Sequence, residues 1–412
     1  MAGLGISVII ASRGRPEWLQ RCLRAVSQLD YPRFEVIVVA CPVGAEVARG
    51  FTFVRVIELD VANISEARNA GGGVARGEIV AFLDDDAVPE PTWLAHLAGG
   101  FDDPAVAQVG GTTLGRNGIS VQHAAALVDR FGQSHPVPVT GDAPVRLSAT
   151  KDRLPRLHGT NMALRRSVVM AQGGFDERFA FYLDETDLTY RISRDGGQTV
   201  FVPRAIVHHA SGPSRFRAVD RTPRDVFDIA ASAAVFHGKH CAAAEQSTAR
   251  STFLAGRRLW ILEHMRSGSL PPDRAARLIR ELAHGYDAGR TRKPIAPPDW
   301  EAQDCEALQE TRSSAEDTYL VATGGNAGAA VAKAKSLAAQ GHRVTLFTYR
   351  RTAEYHRVQY TDDGYWLHTG GIYGRELRQE PLFRISNLGA RVQETLNRVD
   401  KIRSKNPLVQ AH

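Results

Sequence analysis

Glu78-Ile79-Val80-Ala81-Phe82-Leu83-Asp84-Asp85-Asp86 is an apolar run closed by three carboxylates. A run of this length, rich in β-branched residues, predicts a buried strand rather than a helix. Three adjacent carboxylates repel one another, and a fold keeps them together where a cation compensates. Mg2+ and Mn2+ take oxygen ligands and bind diphosphates alongside one or two carboxylates. A solvated acidic turn is the bland alternative. Placement at the carboxyl end of a strand, with Pro89 and Trp93 following, favours the metal reading, because open α/β sheets bind ligands there.

Working outward, Ile6–Ala11 reads as another buried strand, and Pro16 opens a helix on which Leu19, Cys22, Leu23 and Val26 share one face. Strands follow over residues 35–39 and 53–57, with a helix over 65–75. This alternation predicts an α/β fold with a parallel sheet. Residues 223–310 are helical in pattern, and 290–300, rich in proline, reads as a linker. A new strand–turn–helix–strand begins at Thr318, with the Gly-rich turn Thr323–Gly328 able to offer N–H groups to a phosphate. The predicted organisation is therefore residues 1–245 as a first α/β domain, 246–315 as a helical connector, and 316–412 as a small, partial Rossmann-like α/β domain.

At 412 residues, two domains are the default, and 43% hydrophobic with 23% charged residues is a globular composition. No apolar run approaches the roughly 18 residues of a membrane span. The four cysteines, Cys22, Cys41, Cys241 and Cys305, show no paired spacing, which predicts reduced thiols and a cytoplasmic protein, at the inner membrane face if it associates peripherally. The net charge of +6 is not arranged in basic blocks or interleaved with aromatics. That argues against nucleic acid and for phosphate-bearing ligands.

Seven segments, taken in order, resemble family 2 glycosyltransferases with the GT-A fold across residues 6 to about 215. They are Ser7–Arg13, Glu66–Gly71, Ala75–Glu78 leading into the acidic triplet, Gly159–Ala163, Gly173–Phe179, Leu183–Leu188 and Val207–His209. The resemblance implies an inverting enzyme that moves a sugar from a nucleotide-sugar donor to a hydroxyl on a glycan, lipid-linked or other acceptor, with Mn2+ or Mg2+ as cofactor. Ala11, Ser12 and Arg13 would hold the base and Arg68 the base or diphosphate. Asp84 and Asp85 would lie against the nucleotide sugar, and Asp86 would bind the metal. Where relatives carry Asp at the end of the second strand, this chain has Ala40-Cys41-Pro42.

Relatives place the catalytic base in an acidic pair; here the pair is Asp184-Glu185, with Glu185 at the base's position. A carboxylate there would take the acceptor's proton. Asp184 and Asp187 are the alternatives, although Asp187 could simply pair with Arg191 one helical turn on. His208 and His209 end a strand, and one of them would complete the metal site; His208 is the first choice. Trp93, Asn161 and Asp187 would shape the sugar and acceptor pockets. The final segment also resembles the first half of a GT-B glycosyltransferase. Two other functions compete: a nucleotide-binding scaffold without turnover, and an NADP-dependent oxidoreductase using the final domain, where Tyr349-Arg350-Arg351 could meet a 2′-phosphate.

Overall fold

The computed structural model describes residues 3–296, 300, 308, 315–322, 326–377 and 379–403. Thr323–Gly325 of the Gly-rich turn and Cys305 lie outside the described residues. A large mixed sheet forms the main body, in the order Val145–Leu147, Gln198–His209, Val106–Leu114, Asn161–Arg165, Ile79–Asp84, Ile6–Ser12, Phe34–Ala40, Val54–Glu58. The four strands from Ile79–Asp84 to Val54–Glu58 are parallel, as the strand–helix alternation predicts. Asn161–Arg165 runs antiparallel to both its neighbours, so the sheet is not wholly parallel. Nothing in a five-residue strand with mixed polarity announces its direction; only the partner strands do.

The central strands are apolar on both faces because helices cover both. Val8 and Ile10 pack toward the helix Pro16–Val26, whereas Ile9 packs toward the far layer with Phe82 and Phe175. One polar residue inside this core is fully satisfied: Ser7 Oγ donates to Glu35 Oε1 (2.6 Å) and accepts from Gly77 N (2.8 Å). Gly77 is required there, since a Cβ would stand 2.5 Å from the Ser7 nitrogen. The helix Ile64–Gly73 is capped by Asn63, whose side chain accepts from Ser65 N and Glu66 N. Its Asn69 exchanges two hydrogen bonds with the backbone of Phe175. That exchange fixes the Gly173–Phe179 loop against the helix.

Helices Phe227–His240, Gln246–Arg266 and Pro272–Gly289 share one apolar cluster with Phe179 and Leu183, so the helical segment backs the loop that leads into Asp184. The carboxy-terminal unit holds a four-stranded sheet, Asp317–Val321, Arg343–Arg350, Trp366–Gly371 and Arg357–Tyr360, the first three parallel. It sits on the main body through Val358, Tyr360 and Trp366 against Ala25, Val88 and Ile119. Beside this contact Arg403, from the helix Leu388–Arg403, makes a bidentate pair with Glu90 at 2.8 and 2.9 Å. Both side chains are buried, and the guanidinium lies 4.0 Å from the Trp366 ring. Among the described residues no helix is long and apolar enough to cross a membrane.

Removing one partner of a buried pair leaves the other charge uncompensated, at a cost of about 3 kcal/mol or more. Arg403→Met should therefore lower the denaturant midpoint and separate the melting of the two units in calorimetry. A single unshifted transition would show that the pair does not join them.

Candidate active site

The acidic triplet closes the strand Ile79–Asp84, and its three side chains do different things. Asp85 is fully buried, accepts from Ser12 Oγ (2.7 Å) and pairs with the Arg15 guanidinium. Burial raises its pKa and Arg15 opposes the rise. The sequence expectation put Asp85 against the nucleotide sugar; here its carboxylate is turned into the fold and ties the first loop to the strand end. Asp84 keeps a partly open carboxylate, accepting from Thr160 Oγ1 (2.6 Å) and Arg68 (3.3 Å). Asp86 Oδ2 is held by Gly212 N (2.7 Å) and Arg15 (3.1 Å), with Arg217 at 3.6 Å. Its Oδ1 faces His209 Nε2 at 3.2 Å. Burial alone would raise the Asp86 pKa, but His209, Arg15 and Arg217 together hold it below the ordinary carboxylate range.

Asp84, Asp86 and His209 each offer a ligand atom, and these atoms lie within 4.8 Å of one another. Two carboxylates and one imidazole are a donor set that suits Mn2+, and Mg2+ less well. His208 does not join them. Its Nε2 meets Glu90 Oε1 at 2.7 Å and its ring lies against Trp366. The preference for His208 is thereby corrected, because adjacent strand residues point to opposite sides and the triplet lies on the His209 side. After His209 the chain turns through Ser211 in the left-handed region (φ 51°), which delivers Gly212 N to Asp86.

Arg68 is also placed differently from expectation. It is buried over Phe82 and Phe175, and its guanidinium bridges Asp84, Asp184 and the Gly159 carbonyl. It ties the metal corner to the acidic pair and offers no face to a base. Asp184 is buried in this pair. Burial raises its pKa and Arg68 opposes that. Glu185 instead stays partly exposed, accepting from Arg156 (2.9 Å) and Thr186 (3.1 Å). Both acids open the helix Asp184–Arg194, entered through Tyr182 and Leu183 in left-handed conformations.

Trp93 and Asn161 do not line a pocket. Both are buried, and Trp93 Nε1 donates to Asn161 Oδ1 (2.8 Å), while Asn161 Nδ2 holds the Thr112 and Ala205 carbonyls. They lock three strands together. Asp187 is buried in a cationic cluster of Arg191 (2.9 Å), Lys239 (2.7 Å) and His240 (2.8 Å). Of the first loop, Ala11 is half-buried, Ser12 is buried on Asp85, and exposed Arg13 pairs with Asp60 at 2.9 Å. Cys41, where an acid was expected, accepts from Gly14 N at 3.3 Å and supports the same loop.

The sequence reading missed Arg15, Arg217, Arg156 and a histidine pair. His123 stacks on His158 with ring centroids 4.1 Å apart. Burial, with His209 and Arg156 nearby, pushes His123 down to about 4, while Glu185 and Asp84 pull the other way. No local pattern marks these residues; Arg15, in the same loop as Ser12, is the one that proximity to a recognised motif could have flagged.

A family model described as glycosyltransferase like family 2 matches residues 3–227, more than half of the 412. This chain belongs to that family. The O-antigen biosynthesis protein RfbC of Myxococcus xanthus is 28% identical over 229 residues, covering 52% of this chain and 18% of RfbC. A pre-mycofactocin glycosyltransferase of Mycobacterium tuberculosis is 32% identical over 145 residues, 35% of this chain and 29% of the relative. The chain thus spans less than a third of either curated relative. The S. aureus TarS 1–349 structure with UDP-GlcNAc aligns at 15% identity and TM-score 0.42, covering 74% of this chain and 99% of that 1–349 chain. That superposition is too loose to assign residues.

Asp187 is a stability residue, and its removal separates structure from chemistry. Asp187→Asn should cost about 3 kcal/mol in urea unfolding, because buried cations lose their counter-charge, yet leave nucleotide affinity within about twofold. The hydrogen bond and charges around it outweigh burial and depress its pKa. Its contribution is therefore complete above the unfolded value of about 3.9 and lost as pH falls from there toward the folded one. The variant's stability deficit should accordingly shrink between roughly pH 4 and lower pH.

Proposed function

We propose that this glycosyltransferase is a metal-dependent, inverting enzyme moving a sugar from a nucleotide-sugar donor to a hydroxyl acceptor. The observation that carries the reading is the convergence of Asp84, Asp86 and His209 at the ligand-binding edge of the sheet, joined through Arg68 to the acidic pair. The names of the relatives, in O-antigen and mycofactocin synthesis, support glycoconjugate assembly. The site belongs to the 1–245 region, with the carboxy-terminal unit as support, and the acceptor is a glycan or lipid-linked hydroxyl.

In this reading Asp84, Asp86 and His209 hold Mn2+ or Mg2+. Bound there, the cation offsets charge on the departing diphosphate. Arg15 and Arg217 add fixed positive charge at the same corner, where it counts most in the transition state. Glu185 takes the acceptor's hydroxyl proton as the oxygen bonds to the anomeric carbon on the face opposite the leaving group. It suits that role better than Asp184, because its carboxylate reaches solvent while that of Asp184 is buried under Arg68. Arg156 aims Glu185 through a charge-assisted hydrogen bond.

Calorimetric titration of UDP, dTDP and GDP, each with and without Mn2+, tests the donor site. One nucleotide should bind with metal, and Asp86→Ala should weaken it at least about tenfold. Glu185→Gln should keep that binding and lose transfer by about a hundredfold or more. Full transfer by Glu185→Gln would remove it as the base, and no nucleotide binding at all would leave a protein without this activity.

A further inference from the structure

His209 can serve as a ligand only through a ring nitrogen that carries no proton, so whatever settles its proton settles the site. Its Nε2 faces Asp86 Oδ1 and its Nδ1 lies 3.2 Å from Gln122 Oε1. An amide oxygen has lone pairs and no hydrogen. Without a cation both ring nitrogens face acceptors, Asp86 Oδ1 and Gln122 Oε1; with a cation held by Asp84 and Asp86, Nε2 must give up its proton and the neutral ring then donates from Nδ1 to Gln122.

The orientation of the Gln122 amide is itself fixed by its other contacts. Its Nε2 lies 3.1 Å from His123 Nε2. On the oxygen side the Ser211 hydroxyl stands 3.4 Å from Oε1 and accepts from Arg221 (3.3 Å), which frees its own hydrogen for Gln122. Turning the amide over would set its NH2 group against the Ser211 hydroxyl hydrogen. Ser211 Oγ also lies 3.3 Å from His209 Nδ1 and, as a second acceptor, favours the same tautomer.

We infer that Gln122 is a positioning residue that fixes the tautomer of His209 and thereby makes Nε2 the third metal ligand. It comes from the short strand Val121–His123, paired to Val106–Leu114, which itself lies beside the histidine strand. The backbone register therefore brings the amide to the ring. The amide's NH2 group lies against His123, which stacks on His158. The inference rests on the metal reading above and adds a residue that touches neither metal nor substrate.

The test uses the full chain and Mn2+ alone, followed by the loss of the free-ion electron paramagnetic resonance signal. Gln122→Met keeps the length and removes the acceptor; Mn2+ affinity should fall roughly 10- to 100-fold, as for other outer-shell partners. Gln122→Glu restores an acceptor and should bind within about threefold of wild type or more tightly. Nitrogen-15 shifts of the Mg2+-loaded wild type should show His209 protonated on Nδ1, a readout that general loss of packing does not mimic. A wild-type ring protonated on Nε2 overturns the inference without recourse to any variant. So does Gln122→Met binding Mn2+ as tightly as wild type while His209→Ala does not. Absence of Mn2+ binding in the wild type instead overturns the metal reading, and the inference with it.

Discussion

Three carboxylates on consecutive residues cannot all face one space, and the architecture around them follows from that repulsion. Successive side chains at a strand's end leave in opposite directions. Asp85 accordingly goes one way, where Ser12 and Arg15 hold it, and Asp84 and the buried Asp86 go the other, toward His209. Each of these two acids is then flanked by cations and donors from distant segments: Arg68 and Thr160 for Asp84, Arg15, Arg217 and Gly212 for Asp86. The first loop, the helix Ile64–Gly73, the Gly159–Ala163 segment and the turn after His209 are thus all drawn to the same strand end.

Much of this was legible in the sequence, and the reasons are local. The strands at 6–12, 34–40 and 79–84 are continuous apolar runs, and the acidic triplet marks its own strand's end. The choice between His208 and His209 was not legible, because alternation says only that they diverge. Which side holds the acids depends on the pairing of His209 with Ala87 and His208 with Val88, a fact about another strand. Trp93, Asn161 and Asp187 sit in recognisable motifs and are recognisable for packing reasons. A buried Asn that holds two carbonyls leaves as strong a sequence mark as one that holds a sugar.

Arg68 shows the same ambiguity in a charged residue. Its motif suggested a contact with ligand, yet it neutralises Asp84 and Asp184 from beneath while lying on two phenylalanines. A guanidinium is weakly hydrated and planar, so it tolerates such a site better than an ammonium would. Its effect on chemistry is to hold two acidic segments, 100 residues apart in sequence (Asp84 and Asp184), in a constant relation. Asp184 is buried in that arrangement, and Glu185 beside it stays partly exposed.

The pair between Glu90 and Arg403 joins the main body to the carboxy-terminal unit, and Glu90 also meets His208. Neither residue is at home in an apolar interior without its partner. The two units are therefore bound by inheritance as well as by contact. A recombination that brought in a foreign carboxy-terminal unit would have to bring an arginine to the same spot, or carry a change at Glu90 with it. Module exchange, easy where units meet through surface polar groups, is constrained here by one shared buried charge.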